Sequence, residues 1–354
     1  MVNYSKSKIK SKRWKRLSRL GLLLTAFLVI ITQTGCNSNQ EVEPVSKDNY
    51  FLDTTCSVSV YEINGGLDED EATKAIDKAY DRCRELDKLL TNKNDSSDVA
   101  KINNAKGEWV TVGDDALKVI KAGIKYGKLS DGLFDITIGT VSDLWDFHSD
   151  DPKVPSSKKL AEAVTHVDYR KIDIDGNRIR LEDPEAKIDL GGIAKGYVGD
   201  EMRKVLKKEG VTSAVINLGG NIVTIGTKPD GSKFTIGIEK PFSDRSEIIG
   251  KTHVAEGTVV TSGIYERQFV VDGKRYHHIL NPKTGYPVDT DLEAVSLVTE
   301  KKNSMDLDAM STICLMKGTA KAKKFIASQK NLEAVFCGED DKISSTKGMD
   351  FTKE

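Results

Sequence analysis

From residue 51 the pattern F-L-D-T-T-C-S-V-S-V-Y alternates apolar and polar positions, which predicts a strand. Gly65-Gly66 breaks it, and residues 68–90 then repeat apolar side chains at helical spacing, predicting a long amphipathic helix. Residues 92–104, N-K-N-D-S-S-D-V-A-K-I-N-N, read as polar loop, W-V-T-V at 109–112 as a short strand, and residues 114–130 as a second helix. The stretch S-D-D-P-K-V-P-S-S-K at 149–158 reads as a surface excursion. Beyond Lys187 the pattern predicts a strand, a turn and a helix, then several alternating strands between Ala214 and Ile238. Asp272-Gly273 marks a hairpin joining F-V-V to R-Y-H-H-I-L. A strand A-V-S-L-V-T, a helix through D-L-D-A-M-S-T-I-C-L-M, another helix and a last strand L-E-A-V-F-C complete the order. Strands and helices mix without strict alternation, so the expected class is α+β, with no internal repeat.

The first residues change the picture of where the chain works. Eight Lys/Arg and no Asp/Glu precede residue 36, and the apolar run from Leu20 to Thr32 is too short for a membrane span and ends at T-G-C. That pattern predicts an export signal over residues 1–35, lipidation of Cys36, and anchorage on the outer face of the cell membrane. Gly35 fits the small residue expected before such a cut, whereas Gln33 departs from the usual aliphatic one. Residues 36–50 are read as a polar tether and 51–354 as the working domain. Without the signal, 45 basic side chains stand against 54 acidic ones, a formal charge of −9 that disfavours nucleic acid as a partner. Cys56, Cys83, Cys314 and Cys337 have no C-x-x-C spacing and read as mostly buried thiols.

Three stretches have residue types suited to chemistry. In K-I-D-L-G-G-I-A-K-G-Y-V-G-D, residues 187–200, glycines at a strand-to-helix junction would let backbone approach an anion, and a helix start offers free N–H groups. Spacing alone nevertheless favours a tight turn with Lys195 in solvent. On a helix, Asp308 and Thr312 share one face and present a carboxylate and a hydroxyl, hard oxygen donors that suit Mg²⁺. Dipole complementarity for the aspartate and a hydroxyl bond to the preceding turn for the threonine explain the same residues. In Y-H-H-I-L-N-P-K-T-G-Y-P, adjacent His277 and His278 on a strand face opposite sides, and either a base or a turn-satisfying role fits the second. Arg267, in T-S-G-I-Y-E-R-Q-F, reads as an ion-pair partner, and D-G-L-F-D-I-T-I-G-T-V-S-D-L-W-D-F as ordinary core or as part of a site.

Together and in this order, D-L-G-G-I-A-K-G-Y, L-G-G-N-I, S-G-x-Y-E-R, H-H-I-L-N-P-K-T-G-Y-P and D-x-D-A-M-S-T resemble the ApbE-type flavin transferases, from about Leu52 to Gly318. The resemblance implies an α+β, T-fold-related architecture of mixed, largely antiparallel sheets with packed helices. It also implies an enzyme that binds FAD and Mg²⁺, splits the pyrophosphate and attaches FMN to a Thr or Ser of an exported or membrane acceptor protein, releasing AMP. Carried over position by position, Leu52, Leu133, Phe134, Asp135, Asp189 and Lys195 are expected to line the FAD site. Asp308, Thr312 and the backbone carbonyl of Gly192 are expected to hold the metal, and His278 to take the acceptor's proton. The chain departs from the family at Asn92 and Lys93, where many members have an aromatic for the adenine. Hydrolysis of FAD without an acceptor, and flavin binding without catalysis, are the competing expectations. The acceptor pattern Asp-x-x-[Ser/Thr]-Gly-Ala-[Ser/Thr] does not occur in the chain, which argues against self-flavinylation.

Overall fold

The central element is an antiparallel sheet of eight strands, in the spatial order Val45–Phe51, Thr54–Ile63, Val211–Leu218, Asn221–Ile225, Thr258–Gly263, Leu292–Thr299, Glu333–Gly338 and Lys342–Ser345. The computed structural model describes residues 42–147, 149–243, 247–339 and 342–354, and Val42–Glu354 fold as one unit. The expected export signal and Cys36 lie outside the described residues.

One face of the sheet is covered by the helices Glu69–Leu90, Ala194–Lys208 and Ser304–Ala327, whose apolar stripes share a core with Val58, Ile216, Val223, Val260 and Leu297. On the other face, Val215, Ile222, Val259 and Val298 pack against Phe234, Ile236 and Val254 of a three-stranded sheet made by Phe234–Glu239, Ile248–Val254 and Phe351–Lys353. Burial on both faces explains why Leu292–Thr299 is apolar nearly throughout instead of alternating. The expected α+β class therefore holds, with every paired strand among the described residues antiparallel. All four described cysteines are buried free thiols, as their apolar contexts suggested.

Several expectations need correction. Part of the segment read as a tether is the strand Val45–Phe51, in register with the next strand from Val45↔Val60 to Phe51↔Thr54, so the domain begins before residue 51. Its polar side chains hide it, because an edge strand is held by its backbone ladder and here also by the Tyr80 hydroxyl, which donates to the Lys47 carbonyl at 2.7 Å. The strand predicted from residue 51 is broken at once by a two-residue turn at Leu52 and Asp53, both at φ 56°. That is the twist of a type I′ hairpin, and for a bulky leucine it costs about 1–3 kcal/mol.

Within the segment read as loop, Asp98–Asn104 is a helix capped by Ser97, whose hydroxyl accepts the Ala100 N–H at 2.9 Å. Residues 187–190 are extended but form only a single bridge, Lys187 to Ile138, because they lie beside the irregular 134–139 segment and not in a sheet. Two strands, Lys342–Ser345 and Phe351–Lys353, follow the one read as the last. The helix Ser304–Ala327 is interrupted at Gly318, φ 71°, which matches the two successive helices expected there.

Candidate active site

Two helix starts face each other and each satisfies the other's free N–H groups. Asp308, in the second turn of Ser304–Ala327, accepts the Gly196 N–H of Ala194–Lys208 at 2.9 Å. In return Asp200 accepts the N–H groups of Ser304 and Met305, both at 3.0 Å. Burial pushes the Asp200 carboxyl up from its usual value, and these two bonds oppose it. The helices approach so closely that a Cβ on Gly196 would lie 2.3 Å from the Ser304 carbonyl oxygen. Gly196→Ala must therefore move one helix backbone, at about 1–3 kcal/mol or more. We expect a lowered thermal midpoint together with weakened flavin binding, and an unchanged midpoint would show that the crossing is not tight.

On this frame the predicted metal ligands come together. Asp308 is buried, and its second oxygen has the Lys195 ammonium 3.9 Å away. The Thr312 hydroxyl donates to the Asp308 carbonyl at 3.3 Å, which leaves its oxygen lone pairs free to face a cation. Gly192 lies beside that hydroxyl: a Cβ there would be 3.7 Å from Thr312 Oγ1 and 3.0 Å from the Phe134 ring. The bond to the preceding turn is thus formed, and it does not use up the hydroxyl's capacity to face a cation. Among the described residues no three His, Cys, Asp or Glu gather into a metal cluster. The Asp308 carboxylate, the Thr312 hydroxyl and the nearby Gly192 backbone are instead hard-oxygen donors of the kind that fits Mg²⁺.

The glycine turn is shaped by Asp189. Its carboxylate accepts the Gly191 N–H at 2.8 Å and the Ser142 hydroxyl at 2.7 Å. Asp135 is likewise occupied within the chain, accepting from the Thr137 N–H and hydroxyl and from the Tyr169 N–H. Both carboxylates brace backbone: Asp189 the turn at Gly191, next to Gly192, and Asp135 the positions of Thr137 and Tyr169. The Asp189 and Asp135 segments run side by side, with Asp189 N–H bonded to the Ile136 carbonyl and Gly139 N–H to that of Lys187.

His278 follows the hairpin strand Lys274–His277. Its backbone N–H donates to the Arg267 carbonyl at 3.1 Å, and its Nδ1 lies 3.2 Å from the same oxygen. A carbonyl can only accept, so Nδ1 holds the proton and Nε2 has the free lone pair. Burial, then the charges of Arg267 and Lys195, hold the ring well below the usual histidine pKa. His277 points the other way, is buried, and is pushed down to about 4 chiefly by burial. On the same rim, Lys93 pairs with Asp53 at 2.6 Å, beside Leu52 in the turn, while Asn92 is exposed.

The structure therefore joins Gly192, Asp308, Thr312, Lys195 and Phe134 by contact, and links Lys195 to His278 by charge. Asp200, Gly196, Ser142 and Asp53 were missed. Asp200 gave no signal in the sequence, because Arg203 and Lys204 follow it at helical spacing and make it look like a solvated position.

The ApbE family model matches residues 52–336. An FAD:protein FMN transferase of Klebsiella pneumoniae is 33% identical over 262 residues, which is 73% of this chain and 80% of that protein. One of Treponema pallidum is 28% identical over 94% of both chains. The crystal structure of the ApbE protein of Thermotoga maritima superposes with a TM-score of 0.78 at 29% identity, covering 86% of this chain and 97% of that one. A family match over most of the chain, its motifs clustered at one site, establishes that this protein belongs to the ApbE family.

Proposed function

We propose that the protein transfers FMN from FAD to a Thr or Ser hydroxyl of an acceptor protein and releases AMP. The observation that carries this reading is a histidine fixed with a bare Nε2, within the electrostatic reach of Lys195, whose own helix start meets the buried Asp308. In the transfer, the acceptor oxygen forms a bond to the FMN phosphorus as the bond from that phosphorus to the bridging oxygen breaks. The hydroxyl proton passes to His278 Nε2, and the electron pair of the broken bond leaves with AMP. Lys195 offers positive charge to the phosphates, and Phe134 forms the wall beside Gly192. Asp308, Thr312 and the Gly192 carbonyl would hold Mg²⁺. Bound there, it supplies neutralising charge to phosphate oxygens.

Incubation with FAD, Mg²⁺ and a peptide carrying Asp-x-x-[Ser/Thr]-Gly-Ala-[Ser/Thr] should add the mass of FMN to the peptide, read by intact mass spectrometry. AMP release at the same rate with and without peptide, and no labelled peptide, would instead make the protein an FAD pyrophosphatase.

The acceptor on this reading is an exported or membrane protein, met at the outer face of the membrane to which Cys36 is lipid-anchored. The T-G-C junction after a short apolar run supports the anchor, and acyl chains bury CH₂ groups at about 0.8 kcal/mol each. Among the described residues no helix is long and apolar enough to cross a membrane. Cys36→Ala should move the protein from the membrane to the soluble or uncleaved fraction on fractionation. Unchanged attachment with normal cleavage would remove Cys36 as the anchor.

A further inference from the structure

The hairpin Gln268–Val271 and Lys274–His277 that leads to His278 is a two-stranded sheet of its own, outside the eight-stranded one. Its outer part is held by packing of Phe269 and Tyr276 on Trp145. Its inner end, where Arg267 and His278 extend the ladder by one pair, is held differently. Arg267 Nη2 lies 3.8 Å from Asp53 Oδ2, the same oxygen that accepts from Lys93 at 2.6 Å. Asp53 thus stands between the Lys93 loop and the strand end whose carbonyl fixes the His278 tautomer.

We propose that Asp53 is a positioning residue for the transfer step, holding the Arg267 backbone so that its carbonyl keeps His278 in the Nδ1–H form. The inference rests on the transferase reading above but concerns a residue to which that reading gave no role. Asp53 lies in the turn at φ 56°, next to Leu52 at the same angle, and its Oδ2 faces both Lys93 and Arg267. The pairs are partly exposed, with the Asp53 and Arg267 side chains 41% and 37% accessible, so they add little to stability. Their effect is on geometry, where a displacement of about 1 Å can cost about a hundredfold in rate.

The test uses Asp53→Asn, since asparagine tolerates the left-handed backbone and retains the side-chain shape while losing the charge. With histidine labelled with ¹⁵N, and the His278 resonance identified by its loss in His278→Ala, the intact protein should show a protonated Nδ1 and a bare Nε2. In Asp53→Asn the two nitrogen shifts should move toward each other as the tautomers mix. In the transfer assay kcat should fall about 10- to 100-fold, with KM for FAD within about threefold of the original. Asp53→Glu, which restores the charge, should recover part of that loss.

An unchanged His278 tautomer in Asp53→Asn overturns the proposal. So does an unchanged kcat, and so does a raised KM at constant kcat, which would make Asp53 a substrate contact. If the unaltered protein labels no acceptor, the transferase reading falls, and the nitrogen shifts alone decide whether Asp53 positions His278.

Discussion

Asp308→Ala will abolish FMN transfer and AMP release together, by about three orders of magnitude or more. The carboxylate is the only acidic member of the Asp308, Thr312 and Gly192 set, and charge stabilisation of several kcal/mol at about 1.4 kcal/mol per tenfold gives that scale. The same substitution leaves the Gly196 N–H without its acceptor, at about 1–3 kcal/mol. Asp308→Asn separates these effects, because an amide oxygen still accepts from Gly196 while the charge is gone. We expect Asp308→Asn to keep most of the thermal stability and still lose AMP release, measured by chromatography of the nucleotide products. Activity above about a tenth of the original in Asp308→Asn would remove Asp308 from the metal set.

His278→Ala should lower acceptor labelling by about 10²- to 10⁴-fold, the range expected for loss of a positioned base. Flavin binding, followed by quenching of flavin fluorescence, should survive, because Lys195, Phe134 and the glycine turn are unaffected. Loss of FAD binding in His278→Ala would make the ring a flavin or phosphate contact and end its assignment as base. His277→Ala should lower thermal stability more than transfer, since that ring is buried away from His278, and the reverse would also overturn the assignment.

The two rings set a pH dependence whose sign is fixed by their lowered pKa values. For His277, with a folded value of about 4 against 6.5, the unfolded chain binds a proton that the folded one does not. Its contribution to stability is complete above about 6.5 and is lost as pH falls toward about 4. His278 is lowered in the same direction, so the rate of transfer should show no histidine limb near pH 6.5. A limb at that pH that disappears in His278→Ala would show an ordinary, solvated imidazole instead.

Local pattern was enough for the helices Glu69–Leu90, Asp114–Leu129 and Ala194–Lys208 and for the Asp272-Gly273 hairpin, because each follows from its own periodicity or turn chemistry. The motif order was enough for the family, whereas the closeness of Gly192, Lys195, Asp308 and Thr312 is read from the fold. Val45–Phe51 was hidden, since an edge strand with polar side chains is specified by the backbone of its neighbour. The Leu52–Asp53 turn was hidden too, because nothing in a leucine announces a left-handed backbone.

The sequence by itself determined which residue types this protein brings to phosphate chemistry and in what order along the chain. Only the tertiary structure decided their division of labour. It gave the carboxylates of Asp189 and Asp135 to turns and segments, joined two helix starts through Asp308 and Asp200, and set Asp53 between Lys93 and Arg267. The physical reason is that a carboxylate's role depends on which N–H groups and cations lie within about 3–4 Å, and here those come from segments far apart in the chain.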